Sequence, residues 1–214
     1  MKLVELEEWF KDLWEITVDL NICINNGIRI TKNEYENEDK LKQSGFFYHT
    51  QFQQAFIIAI QLCKILDENR NQKRNVHKLF KDLETETHDE YLTAKLDGSL
   101  KNQKTLKDEL FVEIKAIQEA IKAKQSLIDQ VVDVRDKAYA HYDPTRKAFG
   151  PSLLQYQELV DLCSLVYNKL NSKLFGSTTV FKHTVDWDID PILRRASKAY
   201  TDMINERNKK FSES

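Results

Sequence analysis

Apolar side chains recur at steps of three, four and seven residues over a long stretch in the middle of the chain. The members of this series are Leu106, Leu110, Ile114, Ile117, Ile121, Ile128 and Val131. Such spacing places side chains on one face of an α-helix. The pattern predicts a long amphipathic helix over about 100–142. It must end near Pro144, because a residue that precedes proline is pushed out of the α region.

Other stretches with helical periodicity or strongly apolar composition predict the rest of the fold. We predict further helices over about 3–24, 45–68, 73–93, 152–174 and 191–210. Residues 25–27 are predicted to end the first helix, because Asn-Gly favours a positive φ. Residues 33–44 are charged and predict a loop or mobile link. Residues 176–186 have a β-prone composition and predict an extended strap.

Composition supports an all-α fold. The 214 residues include only 5 glycines and 3 prolines, which argues against a turn-dense β-rich protein. With 41% hydrophobic residues, the chain can bury a core as one helical domain spanning residues 1–214.

The cysteines and the chain's first residues bear on compartment and cofactors. Cys23, Cys63 and Cys163 lie far apart in apolar stretches, without the spacing of a zinc site, so we expect buried reduced thiols and no metal. Acidic residues stand where a signal peptide needs an apolar core. The best apolar run, residues 55–60, is too short to span a membrane. We expect a soluble cytoplasmic protein without a cofactor or a membrane partner.

Arg135 and His141 are the candidate chemistry of the chain. Arg135 continues the apolar series after Ile128 and Val131, and a charge on a buried seam costs free energy unless it is paired or faces a polar cavity. Cleavage of a phosphodiester without metal needs an acid, a base and a fixed cation. We predict that Arg135 clamps phosphate and that His141 serves as acid or base. Asp136 is predicted to orient either of them.

One regular helix would not aim Arg135 and His141 at the same atom. Six residues at 100° each place the two side chains about 120° apart. Either the helix loosens before Pro144, or the working pair is assembled across a symmetric dimer. In a two-fold interface the same patch meets itself, so two arginines and two histidines would line one cleft. We favour the dimer, in which the two copies of His141 divide the acid and base roles.

If RNA is the ligand, the residues around this pair indicate how it would be held. A formal charge of −2 provides no global attraction to nucleic acid, so a local cationic cleft is required. Lys137, Arg146 and Lys147 are predicted to rim that cleft. The other residues flanking the pair are Tyr139, Tyr142 and Asp143. For Tyr139, one turn after Arg135, we expect packing or interface contacts.

The run from Arg135 to Asp143, Arg-Asp-Lys-Ala-Tyr-Ala-His-Tyr-Asp, resembles the R-x(4–6)-H motif of the HEPN superfamily. It is similar in particular to the abortive-infection branch. The resemblance covers residues 134–144 by sequence and about 40–175 by architecture. In another HEPN branch a modifiable tyrosine stands two residues after the histidine, a place that Asp143 takes here.

The resemblance implies an up-and-down helical bundle with a core over residues 40–175. Residues 1–33 would form an N-terminal helix or extension, and residues 176–214 a C-terminal strap and helix. It further implies a homodimeric, metal-independent endoribonuclease that leaves a 2′,3′-cyclic phosphate. Such proteins act in prokaryotic defence or toxin–antitoxin systems, which implies a cognate antitoxin or defence-system protein as a possible partner.

Two other interpretations stay open. The chain can be an inactive HEPN module that binds RNA or a nucleotide, or an antitoxin-like bundle that binds another protein. Arg135 can also be structural, because a helix C-terminus favours cations and a salt bridge would hold the side chain there. An intact Arg135 and His141 favour the ribonuclease.

Overall fold

The computed structural model of the chain describes residues 3–68, 74–85, 103–140, 150–182 and 185–212, and most of these residues are helical. The α-helices are α1 (Leu3–Thr31), α2 (Glu38–Lys42), α3 (Gly45–Leu66), α4 (Val76–Thr85), α5 (Gln103–Lys122), α6 (Gln125–Val134), α7 (Leu153–Phe175) and α8 (Asp190–Ser212). A π-helix (Arg135–Ala140) follows α6, and a 3-10 helix (Val185–Trp187) precedes α8. No strand occurs in these ranges, so the predicted all-α class is confirmed.

The main core lies where α3 packs against α1, α6 and α7, while α5 covers another side of α7. Ile58 of α3, Ile114 of α5 and Leu159 of α7 are fully buried in it. The ring of Phe10 on α1 meets that of Phe175 on α7 edge to face at 5.0 Å. Helix α3, which the sequence predicts over 45–68, therefore lies at the centre of the core.

Helix α1 continues past the point where the sequence predicts its end. Gly27 lies inside the helix, and a Cβ at this position would come within 3.4 Å of Gln54 Oε1 and 3.5 Å of a Leu153 methyl group. Asn26 Nδ2 donates to the carbonyl oxygen of Trp187, and its Oδ1 accepts from the N–H of Ile189. The predicted end at residues 25–27 is wrong, because these tertiary contacts outweigh the local turn preference.

The charged segment 33–44 is also more ordered than its composition predicts. It contains α2, and Glu38, the first residue of α2, is fully buried. The Glu38 carboxylate accepts from Arg29 Nη1 at 2.7 Å and pairs with Lys42 Nζ at 2.5 Å. It also accepts from the backbone N–H groups of Glu34 and Tyr35. The prediction of a loop or mobile link is therefore wrong for residues 38–42.

This buried cluster joins three helices. Arg29 at the end of α1 also donates from Nε to Asp190 at the start of α8, and Tyr35 donates its hydroxyl to the same carboxylate at 2.6 Å. Burial opposes the charge on Glu38, but its hydrogen bonds from Arg29, Lys42 and the backbone outweigh burial and lower its pKa to about 2. A small apolar cluster of Ile30, Phe47 and Leu193 packs in the same region.

The long helix predicted over 100–142 is interrupted. Helix α5 ends at Lys122, a turn occupies residues 123–124, and α6 begins at Gln125. No glycine or proline marks this turn, so the apolar pattern runs through it without a signal. Lys124 in the turn forms an ion pair with Glu158 of α7 at 2.5 Å. The predicted ends of the long helix, and residues 86–93 of the predicted third helix, lie outside the described residues.

Helix α7 begins as predicted, at a capping box. The Ser152 hydroxyl accepts from the N–H of Gln155, whose side chain in turn accepts from the N–H of Ser152. At the other end, Gly176 has φ of 72°, which glycine adopts without steric strain. From the apolar residues of this helix the sequence would place Leu154 and Leu165 inward, but they are 71% and 40% exposed.

The strap after α7 carries no strand within residues 177–182, in spite of its β-prone composition. The N–H of Thr179 donates to Asn168 Oδ1 at 2.7 Å, and Asn168 Nδ2 donates back to the Thr179 carbonyl. Phe181 is buried against the ring of Tyr167 at 5.3 Å. Side-chain contacts with α7 therefore hold this strap in place of a sheet.

Burial of all three free cysteines confirms the prediction for Cys23, Cys63 and Cys163. In the described ranges, no helix has both the length and the apolar character to cross a membrane. Those ranges also hold no group of three or more His, Cys, Asp or Glu side chains placed to bind a metal ion.

Candidate functional site

Arg135 lies where the backbone changes its hydrogen-bonding pattern. Buried Val131 and Val134 anchor the last turn of α6, and the π-helix begins at Arg135. A π-helix pairs residues five apart, is rare, and frequently occurs at functional sites. The predicted alternative that the helix loosens before Pro144 therefore has support in the backbone. The dimer stays a prediction.

The Arg135 guanidinium is held by two carboxylates. Its side chain is only 17% exposed, as the apolar seam predicts. Nε donates to Asp136 Oδ1 at 2.7 Å, and Nη1 donates to Asp67 Oδ2 at 2.8 Å. The hydrogen bond to Asp136, with that to Asp67, raises the pKa of Arg135 above its ordinary range. Arg135 is thus a fixed cation in a fixed orientation.

Asp67 is a site residue that the sequence did not indicate. It directly follows α3, and its N–H donates to the carbonyl oxygen of Cys63 at 3.1 Å. Asn75 Nδ2 donates to the Asp67 carbonyl at 3.0 Å, and His77 Nε2 lies 3.0 Å from the carbonyl oxygen of Leu66. Asp67 is therefore fixed by both the end of α3 and the start of α4. Nothing in the sequence pattern pairs it with a residue 68 positions away.

Cys63 adjoins the guanidinium from α3. Burial raises the pKa of its thiol to about 11, although the positive charge of Arg135 opposes that shift. The thiol is therefore neutral near pH 7 and lacks the thiolate that a nucleophilic cysteine needs. It packs the site without supplying chemistry.

Asp136 and Lys137 are the other predicted site residues with described side chains. Asp136 accepts a hydrogen bond from Arg135, which is the contact that its predicted role of orienting Arg135 requires, and the role itself stays a prediction. Lys137 is exposed, but its ammonium group pairs with Asp133 at 2.6 Å. The structure therefore brings Arg135 and Asp136 together with Asp67.

The rest of the predicted site is not described. His141, Tyr142, Asp143, Arg146 and Lys147 lie outside the described residues. For Tyr139 the backbone belongs to the π-helix, and its side chain lies outside the description.

The site can hold a phosphate oxygen at a defined position. The two carboxylates bind Nε and Nη1 of Arg135, and no carboxylate in the described ranges binds Nη2. Charge-assisted hydrogen bonds from a guanidinium to phosphate are among the stronger ones in proteins. An oriented guanidinium suits that contact.

Comparison with known proteins assigns the chain to a family. The HEPN_AbiU2 family model, described as AbiU2, matches residues 3–190, which is most of the chain. No curated protein and no solved structure matches the chain significantly. The resemblance carried by the motif from Arg135 to His141 is confirmed at the level of the family. The chain belongs to the AbiU2 family of the HEPN superfamily.

Proposed function

We propose that the protein is a metal-independent endoribonuclease with a composite Arg135 and His141 site at a homodimer interface. The observation that carries this proposal is the geometry of Arg135. A nearly buried guanidinium is held by Asp67 and Asp136 at the first residue of a π-helix. Such a fixed cation is the part of a metal-free nuclease that must be preorganised.

The energetics of Arg135 favour a functional reason for its place. Burying a charged pair has a desolvation penalty that its mutual attraction often fails to offset. An apolar residue would continue the seam of Val131 and Val134 at lower cost. A guanidinium that is already oriented needs no reorganisation when charge develops on a phosphate. We therefore assign Arg135 to phosphate binding, with Asp67 and Asp136 as positioning residues.

His141 is proposed to move the protons. One His141 takes the proton from a ribose 2′-OH, and the 2′-oxygen attacks the adjacent phosphorus. The bond from phosphorus to the 5′-oxygen breaks, and a second proton donor protonates that leaving oxygen. In a dimer the partner copy of His141 is that donor. The products are a 2′,3′-cyclic phosphate and a 5′-hydroxyl.

The remaining residues near the motif are given supporting roles. Lys137, Arg146 and Lys147 are proposed to contact the RNA backbone. Tyr139, Tyr142 and Asp143 are proposed to shape the interface or the entrance to the cleft. We place the protein in the cytoplasm, in a prokaryotic defence or toxin–antitoxin system, with a cognate antitoxin or defence-system protein as its partner.

A second candidate function is binding of RNA or a nucleotide without cleavage. The observation that favours it is the charge balance at Arg135, where two carboxylates flank one guanidinium. A phosphate must compete with Asp67 and Asp136 for that cation. Such a site would bind an anion weakly and would not hold the phosphate firmly enough for cleavage.

The test is RNA cleavage by the purified protein in EDTA, compared with the His141→Ala variant. General acid–base catalysis contributes about 10²–10⁴-fold, so the variant is expected to lose at least that much activity. His49→Ala is the matched control, because His49 is exposed on α3. Light scattering checks that all three proteins have the same oligomeric state. Undiminished cleavage by His141→Ala would remove His141 from the mechanism.

A further inference from the structure

Three exposed cations cluster at the start of α8. Arg194, Arg195 and Lys198 fall within an arc of about 100° on the helix surface. None of them forms an ion pair with another described residue. Helix α8 as a whole carries six basic and three acidic side chains, in a chain whose formal charge is −2. Helix α8 therefore has a net positive charge.

Most of α8 does not pack against the bundle. Its buried residues are Leu193, Ser197 and Thr201, all in the first half. Beyond Thr201 every described side chain except that of half-buried Ile204 is exposed. A helix without tertiary contacts is only marginally stable in water. Contacts with the bundle stabilise only the first half of α8.

Helix α8 also lies beyond the part of the chain that the family model covers. The match ends at residue 190, and α8 begins at Asp190. The family match therefore gives no information about what α8 binds.

The described residues around Arg135 carry more negative than positive charge. Asp67 and Asp136 flank Arg135, and Lys137 pairs with Asp133. The described side chains at this site thus carry two positive and three negative charges. Affinity for a nucleic-acid backbone comes mainly from Lys and Arg contacts to phosphates. A further cationic surface would therefore add to the RNA contacts proposed for Lys137, Arg146 and Lys147.

A groove beside the cluster provides room for a phosphate. It has a volume of about 400 Å³ and lies between residues 35–36 and the first turns of α8. Arg194 and Lys198 line it one helical turn apart, and the buried Ser197 hydroxyl next to them has no hydrogen-bond partner. Glu36 and Asp202 also line the groove. Because these two carboxylates repel an anion, a phosphate in the groove would lie against Arg194 and Lys198.

We propose that the first turns of α8 form an RNA-docking surface, in which Arg194, Arg195 and Lys198 bind backbone phosphates away from Arg135. This inference rests on the proposed function, because RNA is the polyanion that the protein would act on. The surface would add phosphate contacts to those proposed for Lys137, Arg146 and Lys147.

The test measures binding of a fluorescent single-stranded RNA whose 2′-hydroxyls are methylated, so that it cannot be cleaved through them. The variant carries Arg194→Ala, Arg195→Ala and Lys198→Ala together. We expect affinity at least about tenfold lower, and the slope of log affinity against log salt smaller by about 2, as expected for three lost phosphate contacts to a single strand. The matched control carries Lys11→Ala, Lys115→Ala and Lys122→Ala, which removes the same charge from α1 and α5.

Unchanged RNA affinity in the α8 variant would overturn the docking surface, and so would an equal loss in the control. Absence of RNA binding by the unmodified protein would overturn it too, as would preference for phosphatidylserine vesicles over RNA. The proposed cleavage is tested separately on unmethylated RNA. Binding that depends on α8 in a protein that does not cut would support the docking surface and reject the ribonuclease. RNA cleavage together with binding that does not depend on α8 would support the ribonuclease and reject the docking surface.

Discussion

Replacing Arg135 by alanine is expected to lower RNA cleavage by about 10²–10³-fold, the loss typical of removing one preorganised donor from a transition state. The guanidinium is 17% exposed and fixed by Asp67 and Asp136, so its loss removes an oriented cation from the site. Arg135→Lys is also expected to lose most activity, because a lysine keeps the charge but lacks the planar fork. Initial rates on one RNA substrate measure both effects.

Two controls separate a catalytic Arg135 from a structural one. Arg74→Ala removes an exposed arginine that pairs with Glu8 and Asp12 on α1, and cleavage should not change. Asp67→Asn keeps the shape of Asp67 and loosens only the positioning of Arg135. Its cleavage rate should fall less than that of Arg135→Ala at equal thermal stability. Arg135→Ala with full activity would make the Arg135 cluster a structural ion pair.

Replacing Glu38 by alanine is expected to destabilise the protein by about 3 kcal/mol or more, because breaking a buried ion pair leaves charge without its partner. Among the described carboxylates, Arg29 would keep Asp190 and the more distant Glu34, and the N–H groups of Glu34 and Tyr35 would lose their acceptor. Urea unfolding measures the loss. Lys124→Ala, which breaks an exposed ion pair with Glu158, should cost less than about 1 kcal/mol.

The contribution of Glu38 also has a defined pH dependence. Its pKa falls from 4.5 to about 2 on folding, so the folded state binds its proton less readily than the unfolded state. The stabilisation is therefore complete above pH 4.5 and is lost as the pH falls towards 2. The stability difference between the unmodified protein and Glu38→Gln should shrink over that range. A difference that stays constant from pH 6 to pH 3 would contradict this account.

The helices that pack by one apolar face are predictable from sequence. The apolar steps in α3 and α7 correctly place both helices, because a regular stripe needs only a core to face. The same steps fail at residues 123–124, where two helices meet without glycine or proline. That turn is held by backbone contacts and by the ion pair of Lys124 with Glu158.

The sequence pattern does not predict the contacts of polar residues whose partners are far along the chain. Asn26 and Gly27 have the composition of a helix end, but their contacts with Trp187, Ile189 and Leu153 keep α1 helical. Glu38 lies in a charged stretch and is nevertheless fully buried. In both cases the deciding partners are far along the chain, and periodicity carries no information about them.

In the candidate site, too, some residues can be predicted from the sequence and others cannot. Arg135 on an apolar seam is visible in the sequence, because a charge there requires a partner. The partner itself, Asp67, follows a different helix and is fixed by Asn75 of the next segment. The π-helix at Arg135 likewise has no signature among its residues.

The most direct measurement of the central claim is the chemistry of the RNA ends that the unmodified protein produces in excess EDTA. Transfer to the ribose 2′-oxygen, with Arg135 on the phosphate and His141 moving protons, predicts 2′,3′-cyclic phosphate and 5′-hydroxyl ends. Mass spectrometry of a short labelled RNA distinguishes these ends from all others. Fragments with 3′-hydroxyl and 5′-phosphate ends, formed only when a divalent metal is added, would contradict the account.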